Sequence, residues 1–250
     1  MADGISNVVS KLPRPVINAL QNTPADDCYQ YVRYRTQDIQ RIPLSKDDAT
    51  ETLFVPKQSH LYRKLRQGGG YEPQLTKAIT AEFENGDTFY DVGSQYGYFT
   101  TLAKLCGVPS RRIHGFEAND YHHRVLRKTH ATDGVSVVHT YVGDGTTDGM
   151  LALKDYEGID PDIVKIDVEG FEHDVLQGMG DTLSNVRCLF VEIHPQFLAR
   201  RGATPEKVFN LLDDEGFDLR VTEHRESNRW DPISAADLPD GRTYLIRGDR

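Results

Sequence analysis

The chain has 250 residues, 38% hydrophobic and 27% charged, which suits one substantial core with a decorated end and leaves too little for two full domains. Its formal net charge of -9 and pI of about 5.5 argue against a broad nucleic-acid surface, which needs clustered Lys and Arg, so Arg63-Lys64-Leu65-Arg66 and Arg111-Arg112 read as solvated faces. No apolar run approaches the roughly 18 residues of a membrane span.

The start of the chain lacks the basic, then apolar, then small-residue order of a secretory signal. Its three cysteines, Cys28, Cys106 and Cys188, do not make a disulfide framework. A reducing, cytoplasmic location is therefore expected. Asp outnumbers Glu by 25 to 13 and Arg outnumbers Lys by 19 to 10, a bias that suits a high-salt cytoplasm.

The first seventy residues hold five prolines, a helix predicted over 59–67 and the run Gly68-Gly69-Gly70, and read as a capping extension. Tyr71-Glu72-Pro73 opens a helix over 74–83, with proline in its first turn. From residue 88 strand and helix alternate. Strands are predicted over 88–92, 112–117, 135–139, 162–167 and 188–193, and near 217–221 and 242–246. Helices are predicted from Phe99, from Asn119 to about His130, over 171–179 with Gly180 closing, and from Pro205 to about Asp214. Such alternation calls for an α/β fold whose parallel sheet is covered on both faces, with the ligand cleft at the carboxyl ends of the strands.

The turn Asp91-Val92-Gly93-Ser94-Gln95-Tyr96-Gly97-Tyr98-Phe99 joins the first of these strands to its helix. It has glycines only at 93 and 97, so the third glycine of a dinucleotide fingerprint is missing, and Asp91 adds negative charge where a pyrophosphate would sit. A cationic nucleoside such as S-adenosylmethionine fits better; the alternative is a packing corner. Gly93 is expected to let a ligand approach the backbone, and Gly97 to let the helix pack tightly on the strand. Asp91, Glu117, Asp167 and Glu192 all fall at or just before strand ends and are expected to ring one edge of the sheet. Glu117 follows Asp91 by 26 residues, near the spacing at which an acid on the second strand receives ribose hydroxyls. Asp144, after the third strand, is placed to accept an adenine amino group or to close a turn.

The densest cluster is Lys165-Ile166-Asp167-Val168-Glu169-Gly170-Phe171-Glu172. Strand alternation predicts that Lys165, Asp167 and Glu169 share one side, as a source of a general base or as a salt-bridge network. His194, in Glu192-Ile193-His194-Pro195, is a second base, since histidine titrates near neutrality. No histidine has the spacing of a zinc site with cysteine partners. Magnesium or calcium on Asp167, Glu169 and Glu192 is an open alternative, and no metal is assigned.

Over about 71–246 these motifs resemble the FkbM-type methyltransferases, a branch of the class I S-adenosylmethionine-dependent methyltransferases. The resemblance rests on Tyr71-Glu72-Pro73, the Asp91 to Phe99 turn, Phe116-Glu117, the Lys165 to Glu172 block and Val191-Glu192-Ile193-His194. It implies a Rossmann-like, seven-stranded, mostly parallel sheet with the last strand antiparallel. It also implies methyl donation from S-adenosylmethionine, usually to oxygen. Glu72, Asp91, Gly93, Ser94, Gln95, Gly97, Glu117, Asp144 and Asp167 are then expected at the cofactor, and Glu169, His194 and Lys165 at the reacting groups. Ser94-Gln95 stands where the family usually has Ala-Asn, a longer amide at the same place.

The expected reaction is O-methylation of a hydroxyl on a small molecule or glycan. The competing readings are a nicotinamide-dependent oxidoreductase and a non-catalytic binding module. The acidic composition carries its own expected outcome: the melting temperature should rise with KCl up to molar concentrations, and a flat or falling melting curve would remove the high-salt reading.

Overall fold

The computed structural model describes residues 37–68, 70–222, 229–239 and 241–250. Cys28, Gly69 and the prolines before Pro43 lie outside them. Strands β1 (Ile39–Lys46) and β2 (Ala49–Pro56) pair antiparallel along their whole length. Asp47, at φ 51°, turns the two-residue connection in the left-handed conformation that such hairpins need and aspartate tolerates. The sequence reading misses this hairpin because Pro43 and Pro56 count as breakers. A two-stranded ribbon leaves one edge of each strand unpaired, so proline is admissible there.

Helix α1 (His60–Arg66) is capped by the Ser59 hydroxyl, which accepts from the Tyr62 amide, and α2 (Pro73–Glu82) begins on its proline. The main alternation then follows as β3 (Phe89–Val92), α3 (Tyr98–Leu105), β4 (Ile113–Glu117), α4 (Asp120–Thr129) and β5 (Ser136–His139). A short parallel pair, β6 (Tyr141–Val142) and β7 (Met150–Leu151), precedes β8 (Ile163–Ile166) and α5 (Glu172–Met179). The chain ends with β9 (Cys188–Ile193), α6 (Pro195–Arg200), α7 (Pro205–Asp214), β10 (Asp218–Thr222), β11 (Asp231–Pro232) and β12 (Tyr244–Asp249).

The main sheet has the order β11-β10-β12-β9-β8-β3-β4-β5. Strands β5, β4, β3, β8 and β9 are parallel, and β12 runs antiparallel between β9 and β10. All seven expected strands are present. The two-residue β11 adds an eighth at the edge, and α6 is a helix the periodicity does not announce because it is only six residues long.

Alternation along the parallel strands sends residues to two cores. Tyr90, Val164, Ile166 and Val191 pack with Val175, Leu176 and Leu212 on one face. Phe89, Ile163 and Phe190 pack on the other with Leu75, Phe99 and Val125, and this core also takes Ile42, Leu53, Val55 and Leu61 from the hairpin and α1. Burying a large aliphatic side chain contributes about 1.5–3 kcal/mol, so the hairpin belongs to the same cooperative unit as the sheet. Leu53→Ala, at a fully buried position, should lower unfolding stability by about 2–5 kcal/mol in a denaturant titration. A loss under about 1 kcal/mol would show that the hairpin packs without contributing to the core.

Candidate functional site

After Val92 the chain turns at Gly93, whose φ is 84°. A Cβ there would lie 1.9 Å from the carbonyl oxygen of Asp167, so this glycine answers to a neighbouring backbone as well as to its own dihedral. The Gly93 and Ser94 amides both donate to the Phe116 carbonyl at 3.0 Å, and the Gln95 amide donates to Glu117 Oε2 at 2.8 Å. The turn is thus bolted to the end of β4. Gly97, at φ 91°, caps α3, and a Cβ there would strike Leu126 of α4 and the His130 ring. It serves helix-on-helix packing, not the helix-on-strand packing expected of it.

A cleft of about 320 Å³ opens over these carboxyl ends. Gly93, Ser94, Gln95, Glu117, Lys165, Asp167 and Glu169 line it, joined by Glu72 from the start of α2. Glu117 is only 8% exposed, yet both its oxygens are engaged: Oε1 accepts from the Asn119 amide at 2.7 Å and Oε2 from Gln95. Burial pushes its pKa up to about 7, while those two amide donors pull the other way. A carboxylate has about four acceptor sites, so each oxygen keeps a lone pair for a ligand hydroxyl.

Lys165 lies opposite Asp91 in the β3–β8 register, with Nζ 3.2 Å from Asp91 Oδ1 and 3.8 Å from Asp167 Oδ2. Burial works against its charge, but Asp91, Asp167, Glu72 and Glu192 outweigh that and raise its pKa above the ordinary value. Asp91 is fully buried beneath the cleft and off its wall, so the part expected of it, meeting the cofactor directly, passes to the residues above it. The predicted alternation also fails past Ile166, where β8 ends. Val168 lines the cleft alongside Asp167 and Glu169 because the chain has left the strand, and Glu169 stands in left-handed backbone at φ 49°.

His194 follows β9, just outside the cleft wall and behind Asp167. Its Nδ1 is 2.7 Å from Glu172 Oε1, which also accepts from the Gly170 amide at 3.0 Å; Nε2 faces Glu192 at 3.5 Å and Asp167 at 4.0 Å. Burial lowers its pKa, and the Glu172 bond with the Glu192 and Asp167 charges more than reverses this. These carboxylates favour the charged ring, a direction that works against its use as a resting base. Burial also raises the Asp167 carboxyl above the usual range, against the pull of Lys165 and with the push of Glu192 and Glu72.

Asp144 stands away from the cleft. It is half-buried and accepts from the amide and hydroxyl of Thr146 at 2.9 Å, so it closes its own turn, the alternative expected of it. Sequence reasoning passed over Tyr141, 45% exposed at the cleft mouth, and Phe171, which packs near it at a ring separation of 6.5 Å. An exposed aromatic directly after the third strand was the available signal. Among the described residues four non-glycines have positive φ, and three of them, Glu72, Gln95 and Glu169, line the cleft. Backbone strain of this kind persists where surrounding structure enforces it, often at ligand sites.

A raised histidine pKa stabilises the fold fully below its unfolded value of about 6.5 and is lost as pH rises through the folded value. In chelator-treated protein, unfolding free energy should therefore fall as pH climbs above about 6.5, and His194→Gln should flatten that slope. Identical slopes in the two proteins would refute the linkage.

Four carboxylates on the cleft wall face one lysine and one histidine, His122. That set suits a ligand bearing cationic groups and hydroxyls and repels phosphates. Residues 149–219 match the family described as "Methyltransferase FkbM domain". The chain is 27% identical over 181 residues to the hexuronic acid methyltransferase AglP of Haloferax volcanii, covering 60% of this chain and 72% of that protein. The TehB-like SAM-dependent methyltransferase of Corynebacterium glutamicum shares the fold at a TM-score of 0.51 and 14% identity, over 76% of this chain and 94% of that one. The FkbM methyltransferase of Methylobacillus flagellatus overlays at 0.46 with 16% identity, over 64% and 43% of the two chains. The cleft chemistry and the matched domain point the same way: the chain is an S-adenosylmethionine-dependent methyltransferase whose residues 149–219 are similar to the FkbM methyltransferase domain.

Proposed function

We propose that the enzyme methylates an oxygen of a sugar, most specifically of a sugar acid within a glycan or a related small molecule. The observation that carries this reading is the spacing of carboxylates across the sheet. Glu117 ends β4 and Asp167 follows β8, with β3 between them. Two strand spacings are roughly 10 Å, room for a nucleoside sugar beside Glu117 and a reacting oxygen beside Asp167 and Glu169. The similarity to a hexuronic acid methyltransferase supports the acceptor class.

When bound, S-adenosylmethionine would supply a sulfonium methyl group for transfer to an acceptor oxygen, the carbon–sulfur bond breaking to leave S-adenosylhomocysteine. Glu117, fixed by the Gln95 and Asn119 amides, accepts the ribose hydroxyls. The Gly93-Ser94 turn and Glu72 enclose the methionine end. Lys165 holds Asp167 in place while Asp91 balances its charge from below. Glu169 takes the proton of a hydroxyl acceptor; a carboxylate acceptor has none to lose. Much of the rate comes from alignment, since displacement of this kind needs little beyond a held nucleophile.

Calorimetric titration with S-adenosylhomocysteine should show one site per chain, weakened about tenfold or more by Glu117→Ala, since tenfold is about 1.4 kcal/mol. Methyl transfer to oligosaccharides containing glucuronic acid, followed by mass spectrometry, tests the acceptor. Cofactor binding without transfer to any uronate or sugar hydroxyl would overturn the acceptor reading and leave the cofactor assignment intact.

A further inference from the structure

We infer that Asp167, Glu192 and His194 form a divalent-cation site of the Mg²⁺ or Mn²⁺ class, which holds the acidic acceptor at the edge of the cleft. The inference rests on the sugar-acid reading above for its acceptor, but not for the cation. The donor set is mixed, two carboxylates and one imidazole, and the three ligating atoms lie within 4.8 Å of one another. Octahedral sites with ligands near 2.1 Å place adjacent donors about 3 Å apart, so the observed 3.5 and 4.0 Å separations need closing by about 0.5 to 1 Å.

The outer shell is already built. Glu172, fully buried, takes the Nδ1 side of His194 and leaves Nε2 turned to the two carboxylates. A carboxylate behind the imidazole is the arrangement that orients metal-ligating histidines. Asp167 divides its oxygens in the same sense: Oδ2 faces Lys165, and Oδ1 faces His194 and is available.

Charge balance points the same way. Asp91, Asp167, Glu72 and Glu192 act together on Lys165, and that lysine and His194 are the cations among them. Four anions against one lysine leave three negative charges uncompensated, and a divalent ion would offset two of them. The deficit also bears on the acceptor. A uronate entering a cleft walled by Glu72, Glu117, Asp167 and Glu169 meets like charge, and a bound dication converts that repulsion into a bridge. Three protein ligands leave three octahedral positions for water and acceptor oxygens, which matches cations of the Mg²⁺ and Mn²⁺ class.

The test is titration of chelator-treated protein with Mn²⁺, read by electron paramagnetic resonance and calorimetry, before any turnover is measured. One Mn²⁺ per chain is expected, with affinity reduced at least tenfold in Glu192→Gln and in His194→Gln. Glu117→Ala should keep the Mn²⁺ while losing S-adenosylhomocysteine, which shows that this protein folds and separates the two sites. Glucuronate should bind the Mn²⁺-loaded protein at least tenfold more tightly than the metal-free protein. No stoichiometric Mn²⁺, or Mn²⁺ indifferent to Glu192 and His194, overturns the cation site. Mn²⁺ binding with no gain for glucuronate overturns the bridge. A metal-free protein that methylates uronates at full rate refutes the bridge while leaving the sugar-acid reading standing.

Discussion

A lysine in the middle of a parallel sheet is tolerable only beside an opposite charge, and Lys165 has one on the next strand. The Asp91–Lys165 pair sits at the centre of the sheet, 0% and 2% exposed. Removing one member of such a pair leaves an uncompensated buried charge at a cost of about 3–5 kcal/mol. Its value to the enzyme is directional. Asp91 anchors the ammonium from below, so Lys165 can hold Asp167 above without being drawn into the cleft. The acids at the surface of the site therefore have a fixed cation beneath them.

Around that pair the backbone is more constrained than the side chains. The Asp167 amide donates to the Val92 carbonyl at 2.9 Å, and the Asp167 carbonyl closes over Gly93. The Gly93 and Ser94 amides bind β4 in turn. Three adjacent strands thus end in one interlocked knot of loops, and the left-handed Gln95 and Glu169 lie on it. The knot holds carboxylates of different character in one cleft: Glu117 clamped by amides, Asp167 pressed between Lys165 and two acids, and Glu169 on strained backbone.

Much of this was legible in the sequence. Strands of β-branched and aromatic residues, proline at helix starts and Gly180 after α5 announced the alternation, and acids at strand ends announced the site edge. What escaped had physical reasons. Period-two alternation applies only inside a strand, so it misassigned Val168 once β8 stopped at Ile166. A carboxylate at a strand end can point down as easily as out, which is why Asp91 turned out to be a buried counter-ion. Asp144 found its partner two residues away in Thr146, a local bond that competes with any ligand. His194 looked like a free base because nothing in the chain's order shows Glu172 folded behind it.

The hairpin of β1 and β2 bears on how much chain the enzyme needs. The recognisable pattern starts near Tyr71, but Leu53, Val55 and Leu61 fill the same core as Phe99 and Val125, and Leu61 also lines the cleft. A version trimmed to the recognisable part would present that apolar surface to water as a contiguous sticky patch, the usual mark of an aggregating protein. The minimal working unit is thus longer than the motif-bearing unit. In homologues, the stretch ahead of the motifs should be judged by what it covers and not by how little it resembles anything.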